Sequence, residues 1–456
     1  MSGRVRQRST VSVALQSRLE WLRSRLWFIP GVFAVAATVG AFALVPLDRL
    51  VDEHVAGDLG GVLFAGGPES ARLVLSTISA AMLTFTGLVF SVTMLVLQLA
   101  SSQLSPRVMR TFLRDRMNQT ILGLFVATFL YALLVLREVR TPAVGASFVP
   151  SIAVTVAYGL LVASVGAFII YIHHMAQAIR AVSVLRSVGH ETREAIGRLY
   201  PEGIGEDPDQ PTVALPAREP DRLITQDREP GVVTSVDEEQ LLTLATDHGL
   251  TVAFRHFVGD FVPEGAPLLA VWSRTGGSDP DLDDLPVGRL AHCIELGIER
   301  TMTQDAAFGI RQIVDIAERA LSPGTNDPTT ALQALDQVHD LLRRLAVRRI
   351  PSPFRLGPEG DVLLHLPCPG WDDYVALGID EIRQYGQGSI QIARRLRHLL
   401  LDVASVAPAP RRAAIDRQLR LLDEGLDAAF AIVDDRASAA RPSASGQGPD
   451  RPPPDH

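Results

Sequence analysis

The chain has 456 residues, a formal net charge of -8 and 47% hydrophobic residues, and its length is enough for two or three domains. All 43 basic residues are arginines, which excludes a Schiff-base lysine, a Walker-type lysine and a biotinyl or lipoyl carrier lysine. The acidic balance argues against a nucleic-acid partner, which needs a basic face. The two cysteines, Cys293 and Cys368, lie far apart without metal-ligand spacing.

Long apolar runs fill the first third of the chain, whereas the rest is charged and mixed. About 20 apolar residues cross a bilayer core of roughly 30 Å. Four runs fit this length: Leu26–Val45, Leu73–Ala100, Ile121–Leu136 extended by Asn118–Thr120, and Phe148–Ile172. We therefore predict a basic N-terminus over residues 1–25 and a four-helix transmembrane domain over residues 26–174. The first run lacks a following A-x-A-like cleavage site, which disfavours a signal peptide.

Arginine placement orients these spans. Six arginines precede the first run and four follow the second, whereas residues 46–71 hold five carboxylates against Arg49 alone. More arginines follow the fourth run. The pattern predicts a multi-pass protein of the plasma (inner) membrane with both termini in the cytoplasm.

The second apolar run carries a polar stripe. Thr77, Thr84, Ser91 and Gln98 lie seven residues apart, so they share one face of a helix. One interpretation is close packing inside the four-helix bundle, since small and hydroxyl residues let helices approach each other. The other places the stripe at the axis of a homo-oligomer, where it lines a path for an ion or solute. The cores of the spans hold no Asp, Glu or Arg, so a proton relay or a strongly charge-selective filter is not expected.

The segment Gln98–Arg116 ends in an amphipathic, arginine-rich stretch that predicts an interfacial anchor on membrane lipid, with a gating linker as the alternative. Residues 175–228 predict a juxtamembrane helix and an exposed linker. Residues 229–275 predict a small β-module, whose "GDFVPEGAPL" resembles the turn of barrel-sandwich hybrid domains. Without a carrier lysine, that resemblance implies a module for docking or packing.

Residues 286–436 predict a mostly helical cytoplasmic domain, and the composition of residues 437–456 predicts a disordered tail. Within the helical part, "RALSPGTNDPTTALQALD" predicts an αα-hairpin. Pro323-Gly324 ends one helix, while Asp327 caps the next and Pro328 occupies its first turn.

Several polar residues before and in this hairpin predict a shared pocket in the cytoplasmic domain. They are Arg300, Gln304, Asp305, Arg311, Asp315, Asn326, Asp327 and Thr330. Two interpretations stay open for them, a structural polar network and a site for a small ligand.

Three blocks carry a family resemblance: "FGIRQIVDIAERALSPGTNDPTTA", "QLASSQLSPRVMRTFLRDR" and "GDFVPEGAPL". They resemble the bacterial predicted-membrane-protein family domain of unknown function 2254 (DUF2254), over roughly Trp21 to Ile432. The resemblance implies an integral membrane protein with an N-terminal helical part and a cytoplasmic C-terminal part. It brings no activity, cofactor or catalytic residue.

The expected fold is thus a membrane α-helical domain with four transmembrane helices plus a cytoplasmic α+β domain. Since no nucleophile–base pair, glycine-rich phosphate loop or metal cluster emerges from the sequence, we expect no enzyme, metal site or cofactor. The favoured hypothesis is an oligomeric channel-like or transport-related protein with a cytoplasmic regulatory domain. The alternative is a membrane-anchored sensor or scaffold that binds a ligand or partner through the SPGTNDPTT hairpin.

Overall fold

The computed structural model describes residues 27–52, 64–103, 116–140, 148–178, 180–201, 213–274 and 286–446. The predicted basic N-terminus and most of the predicted interfacial segment, residues 104–115, lie outside the described residues. The chain divides into two compact units, Met1–Arg180 and Ala181–His456.

The described residues of the N-terminal unit form four long helices. They are α1 (Phe28–Asp52), α2 (Pro68–Gln103), α3 (Arg116–Glu138) and α4 (Ser151–Ala178). Each is long and apolar enough to cross a membrane, as the four apolar runs predict. Helix α3 includes Asn118–Thr120, whereas α4 begins after Pro150 and Phe148 instead exchanges backbone hydrogen bonds with Arg140.

Helix α3 lies at the centre of this unit and contacts α1, α2 and α4. Half of the residues in the apolar stretch of α3 are buried, compared with about a fifth of those in each of the other three helices. The rings of Phe85, Phe125 and Phe168 stack between α2, α3 and α4, with centroids 4.8–6.5 Å apart. The interior of a single unit is therefore packed mainly with apolar side chains.

A few polar contacts join these helices where hydrocarbon would leave polar groups unsatisfied. The buried Asp48 carboxylate at the end of α1 accepts hydrogen bonds from the Ile152 and Ala153 N–H groups, at 2.8 and 2.9 Å, and so caps α4. The Tyr171 hydroxyl of α4 donates to the Val89 carbonyl of α2 at 2.9 Å. These bonds fix how α4 lies against its neighbours.

The C-terminal unit contains two sheets. The first has the order β1-β5-β3-β8-β7 and the second the order β4-β2-β6. The strands are β1 (Arg222–Thr225), β2 (Gly231–Val236), β3 (Leu250–Phe254), β4 (Phe261–Val262), β5 (Pro267–Ser273), β6 (Ile294–Gly297), β7 (Phe354–Leu356) and β8 (Val362–His365). Only β3 and β8 pair in parallel among these strands, with Val252 opposite Leu364.

The sheets correct the predicted division into a β-module over residues 229–275 and a helical domain over residues 286–436. Strands β6, β7 and β8 come from the second of these segments, yet they complete both sheets. Strand β1 comes from the predicted linker and pairs with β5. The prediction treated the two segments separately because short strands far apart in sequence give no local signal of their partner. The likeness to a barrel-sandwich domain stays a prediction.

The helices of the C-terminal unit pack around one another beside these sheets. They are α5 (Ala181–Leu199), α6 (Glu238–Asp247), α7 (Val287–His292), α8 (Ala306–Leu321), α9 (Pro328–Ala346), α10 (Trp371–Tyr385), α11 (Ile390–Val406), α12 (Ala409–Ala429) and α13 (Val433–Ala439). Their apolar faces supply long runs of fully buried leucine, isoleucine and valine, such as Ile310, Ile313 and Val314 of α8.

Helix α5 approaches α8 and α9 closely at two glycines. A Cβ atom on Gly309 of α8 would lie 2.0 Å from Thr192 Oγ1, and one on Gly189 of α5 would lie 2.3 Å from Gln337 Oε1. Arg193 adds an ion pair to Asp340 at 3.0 Å. Glycine at these positions therefore sets the distance between the helices.

The predicted disordered tail from Ala437 is wrong for its first ten residues. Helix α13 extends to Ala439, Ser443 is fully buried, and a Cβ atom on Gly446 would lie 2.8 Å from a Leu332 methyl group. Arg394 of α11 holds this segment by donating to the Ser438 carbonyl at 2.7 Å. Residues 447–456 lie outside the described residues.

Candidate functional site

The structure places the eight polar residues predicted to form a pocket at three separate positions along α8. This helix has 16 residues and is therefore about 24 Å long. The three clusters are Arg300, Gln304 and Asp305 before its start, Arg311 and Asp315 on its early turns, and Asn326, Asp327 and Thr330 after its end. They do not converge on one cavity in the part of the chain that the structure describes.

The first cluster is built around the buried carboxylate of Asp305. Its Oδ1 caps α8 by accepting from the Phe308 N–H at 3.0 Å, and its Oδ2 accepts from Arg300 Nε and an Arg300 terminal nitrogen at 2.9 and 2.7 Å. The Arg300 guanidinium also lies 5.2 Å from the centroid of the Phe308 ring. Burial raises the pKa of Asp305 above its ordinary value, although the Arg300 charge opposes this shift.

Two strands of the three-stranded sheet, β2 and β4, lie next to this cluster. Gly259 has φ +100°, and a Cβ atom there would lie 2.5 Å from Asp305 Oδ2 and 2.6 Å from Arg300 Nε, so the turn before β4 can carry only glycine at this point. The Gln304 side chain accepts from the Val236 N–H at 2.8 Å and donates to the Val236 carbonyl at 3.1 Å. The cluster thus joins β2 and β4 to the start of α8.

The second cluster places one arginine among three carboxylates. Arg311 donates to Asp315 Oδ1 at 2.6 Å, to Glu318 Oε2 at 3.2 Å, and to Glu381 of α10. Burial raises the pKa of Glu318; Arg311 opposes the shift, while Glu381 and Asp315 add to it. This arginine joins α8 to α10 and offsets part of the negative charge of the three carboxylates.

The third cluster forms the hairpin turn between α8 and α9. Asp327 Oδ1 accepts from the Thr330 N–H at 3.1 Å, and Oδ2 accepts from the Thr330 hydroxyl at 2.6 Å. The predicted N-cap at Asp327 and the proline in the first turn of α9 are confirmed. Asn326 adopts φ 44°, the only positive φ of a non-glycine residue in the described ranges, and asparagine tolerates this conformation best. Residues 323–326 at the tip are exposed.

A fourth polar network, which is not among the residues predicted from the sequence, joins α9 to α11. Asp336, His339 and Arg343 of α9 face Arg395, His398 and Asp402 of α11. The two triplets have the same spacing, D-x-x-H-x-x-x-R and R-x-x-H-x-x-x-D. Comparing these two helices side by side would have revealed their complementary charges.

His339 occupies the middle of this network. Its Nδ1 accepts from an Arg395 terminal nitrogen at 2.9 Å, and its Nε2 lies 2.7 Å from Asp402 Oδ2. An acceptor at Nδ1 requires the neutral ring with its proton on Nε2, so the free lone pair that a general base needs is already engaged. Burial lowers the pKa of His339, with Arg395 and His398 adding to the shift and Asp402 opposing it.

The lowered pKa has a definite consequence for stability. A histidine whose pKa is lower in the folded than in the unfolded protein favours folding in its neutral form. This contribution is present above the unfolded pKa of about 6.5 and is lost as the pH falls towards the lower folded value. The contact between α9 and α11 is therefore weakened by acid.

The polar stripe of the second apolar run lies on α2 and faces away from its own unit. Thr77, Thr84, Ser91 and Gln98 are all exposed, and the three hydroxyls donate to the carbonyls four residues earlier at 2.7–3.0 Å. The interpretation that places the stripe inside the four-helix bundle of one chain is thus wrong. The opposite face of α2, which carries Leu75, Ile78, Met82 and Val89, is the one that packs within the unit.

The sequence of the chain is similar to known sequences over most of its length. The DUF2254 family model, described as a predicted membrane protein, matches residues 23–402. The chain is similar to an uncharacterized protein of Mycobacterium bovis and to one of Mycobacterium tuberculosis. Each is 35% identical over 426 residues, which cover 92% of this chain and 79% of the relative. No solved structure matches the chain.

Proposed function

Because the chain belongs to the DUF2254 family of predicted membrane proteins, we propose that it acts as an oligomeric, channel-like or transport-related protein of the plasma membrane. In this proposal the stripe face of α2, defined by Thr77, Thr84, Ser91 and Gln98, meets the same face of neighbouring copies. Both termini and the C-terminal unit lie in the cytoplasm, where that unit regulates the membrane part.

The observation that carries the proposal is the outward orientation of the stripe. A lipid-facing helix surface gains nothing from hydroxyls and an amide repeated every seven residues, whereas small residues let helices of different subunits approach closely. Ala80 and Gly87, which lie near the stripe, are exposed as well. A face of this kind favours helix association over contact with lipid.

The path in this proposal runs between subunits. The rings of Phe85, Phe125 and Phe168 fill the interior of one unit, so a path through a single copy would require these rings to move apart. Hydroxyls and a carboxamide carry no formal charge. A path lined by them therefore suits a small neutral solute or a monovalent ion without strong selection by charge.

A second candidate function is the membrane-anchored sensor or scaffold. The observation in its favour is the exposed hairpin tip at residues 323–326, which is held rigidly by the Asp327 N–H donating to the Ala320 carbonyl at 2.7 Å. A rigid, exposed, polar turn is a suitable contact surface for a partner protein.

Flux through liposomes that contain the full-length protein tests the first proposal. We expect wild-type protein to release potassium or glycerol and Thr84→Trp to block that release. Val162→Trp on α4 is the matched control, because Val162 is exposed on a different helix of the same unit. Liposomes that stay tight with wild-type protein would reject the path.

Disulfide formation between subunits tests the oligomer directly. With both native cysteines replaced by serine, oxidation should link copies that carry Thr84→Cys and not copies that carry Val162→Cys. Equal linking of the two variants would mean that the stripe face is not the interface. Tight liposomes together with a partner lost on Gly324→Trp substitution would favour the scaffold instead.

A further inference from the structure

A groove of about 120 Å³ lies between α1 and α3 in the N-terminal unit. Ala41 and Val45 of α1 and Leu134 of α3 give it apolar walls. Arg137 and Glu138, in the last turn of α3, line it as well. A groove that is apolar along its length and charged where the spanning helix ends has the polarity of an amphiphile lying in a membrane.

The backbone of α1 adds an unusual acceptor to this groove. Pro46 lies inside the helix and has no N–H, so the carbonyl of Phe42 does not receive the usual helical hydrogen bond from the residue four positions later. Phe42 and Pro46 both line the groove. A ligand that brings a hydrogen-bond donor here can use this acceptor, which a plain acyl chain cannot do.

The two charged residues add specificity for the headgroup. The Arg137 guanidinium suits a phosphate, to which arginine binds through two parallel N–H donors. The Glu138 carboxylate beside it suits a cationic group that can donate hydrogen bonds. A headgroup with both a phosphate and a primary ammonium complements this pair, whereas a choline has no N–H and a glycerol headgroup has no cation.

We propose that the groove binds a phospholipid of the phosphatidylethanolamine class. One acyl chain lies along Ala41, Val45 and Leu134, the phosphate binds Arg137, and the ammonium donates to Glu138, with the Phe42 carbonyl as a further acceptor at the site. The groove follows α1 over six residues, from Ala41 to Pro46, a rise of about 7.5 Å, so it holds the part of the acyl chain nearest the headgroup.

Native mass spectrometry of the full-length protein in detergent tests this assignment. Dioleoyl phosphatidylethanolamine, phosphatidylcholine and phosphatidylglycerol are added at equal concentrations, and bound lipid is counted. We expect wild-type protein to retain the ethanolamine lipid over the other two by roughly tenfold, the effect of one charge-assisted hydrogen bond. Equal retention of the three lipids, or preference for the glycerol lipid, would overturn the proposal.

Three variants separate the parts of the site. Glu138→Gln should make ethanolamine and choline lipids equal, and Arg137→Gln should lower retention of all three. Arg140→Gln is the matched control, since Arg140 is an exposed arginine just after the end of α3 and does not line the groove. Thermal unfolding of each variant in lipid-free detergent confirms that it is folded. Loss of lipid that is equal in the Arg137 and Arg140 variants would also overturn the proposal.

Discussion

Replacing Gly309 with alanine tests the close approach of α5 to α8. The new Cβ atom would lie 2.0 Å from Thr192 Oγ1 and 2.8 Å from Thr192 Cγ2. Thr192 is fully buried and its hydroxyl donates to the Val188 carbonyl at 2.6 Å, so the side chain has little room to turn away. Alanine normally stabilises a helix interior by about 0.5–1 kcal/mol relative to glycine, whereas overpacking a core costs about 1–3 kcal/mol.

Because the contact is severe, we expect the cost of overpacking to lie near the upper end of its range, about 3 kcal/mol. Subtracting the gain in helix propensity leaves an expected loss of about 2 kcal/mol in the free energy of unfolding for Gly309→Ala. For a unit of this size, that corresponds to an unfolding midpoint lower by about 4–8 °C. The assay is thermal unfolding of the full-length protein in detergent, followed by the fluorescence of Trp272 and Trp371, which both lie in the C-terminal unit.

Gly197 supplies the matched control on α5. A Cβ atom there meets nothing within 4 Å, so Gly197→Ala should raise the midpoint through helix propensity alone. Adding Thr192→Ala to Gly309→Ala removes two of the three clashing atoms and should recover part of the loss. If Gly309→Ala and Gly197→Ala shift the midpoint equally, the packing argument fails.

Three further predictions concern charge and orientation. His339→Gln should remove part of the loss of stability between pH 7 and pH 5, since the lowered pKa of His339 makes the neutral ring stabilise the fold fully above about pH 6.5 and progressively less below it. Arg311→Gln should lower the free energy of unfolding by about 2 kcal/mol at pH 7, and a loss that does not shrink in acid, where Glu318 with its raised pKa takes up a proton, would contradict this account. In a cysteine-free protein, a membrane-impermeant maleimide should label Glu69→Cys on intact cells and leave Gly324→Cys unlabelled; the reverse would refute the proposed orientation.

The features that the sequence predicts well are those with a local cause. Four apolar runs predict four long apolar helices, because each run is long enough for a bilayer without any tertiary contact. The cap at Asp327 follows from turn chemistry within a few residues. The outward direction of the stripe on α2 does not follow from the local sequence, because it depends on which face of α2 packs against α3.

The candidate pocket shows why the site was harder to predict. Arg300 and Thr330 are only 30 positions apart in the sequence, but the intervening α8 is rigid and holds them at opposite ends. Conversely, Asp336 and Arg395 are 59 positions apart and form a direct ion pair at 2.9 Å. Proximity in the sequence is a poor guide once a helix of four turns lies between the residues.

The disordered tail was predicted from composition alone, and composition does not report a specific partner. Ala, Ser and Gly residues near the C-terminus bury little apolar surface by themselves. Arg394 and Leu332 supply the contacts that order residues up to Gly446. The small size of these residues is what lets them fit against α9 and α11.

The parallel pairing of β3 with β8 constrains how the protein is made. Val252 of β3 pairs with Leu364 of β8, so this pairing cannot form until Leu364 has been synthesised. A ribosome that adds about 5–20 residues per second needs roughly 6–20 s to produce the intervening chain. Throughout that interval the backbone of β3 keeps one unpaired edge, which is a template for aggregation. A nascent chain stalled between these strands would therefore depend on a chaperone, and a fragment truncated before Val362 should collect in inclusion bodies.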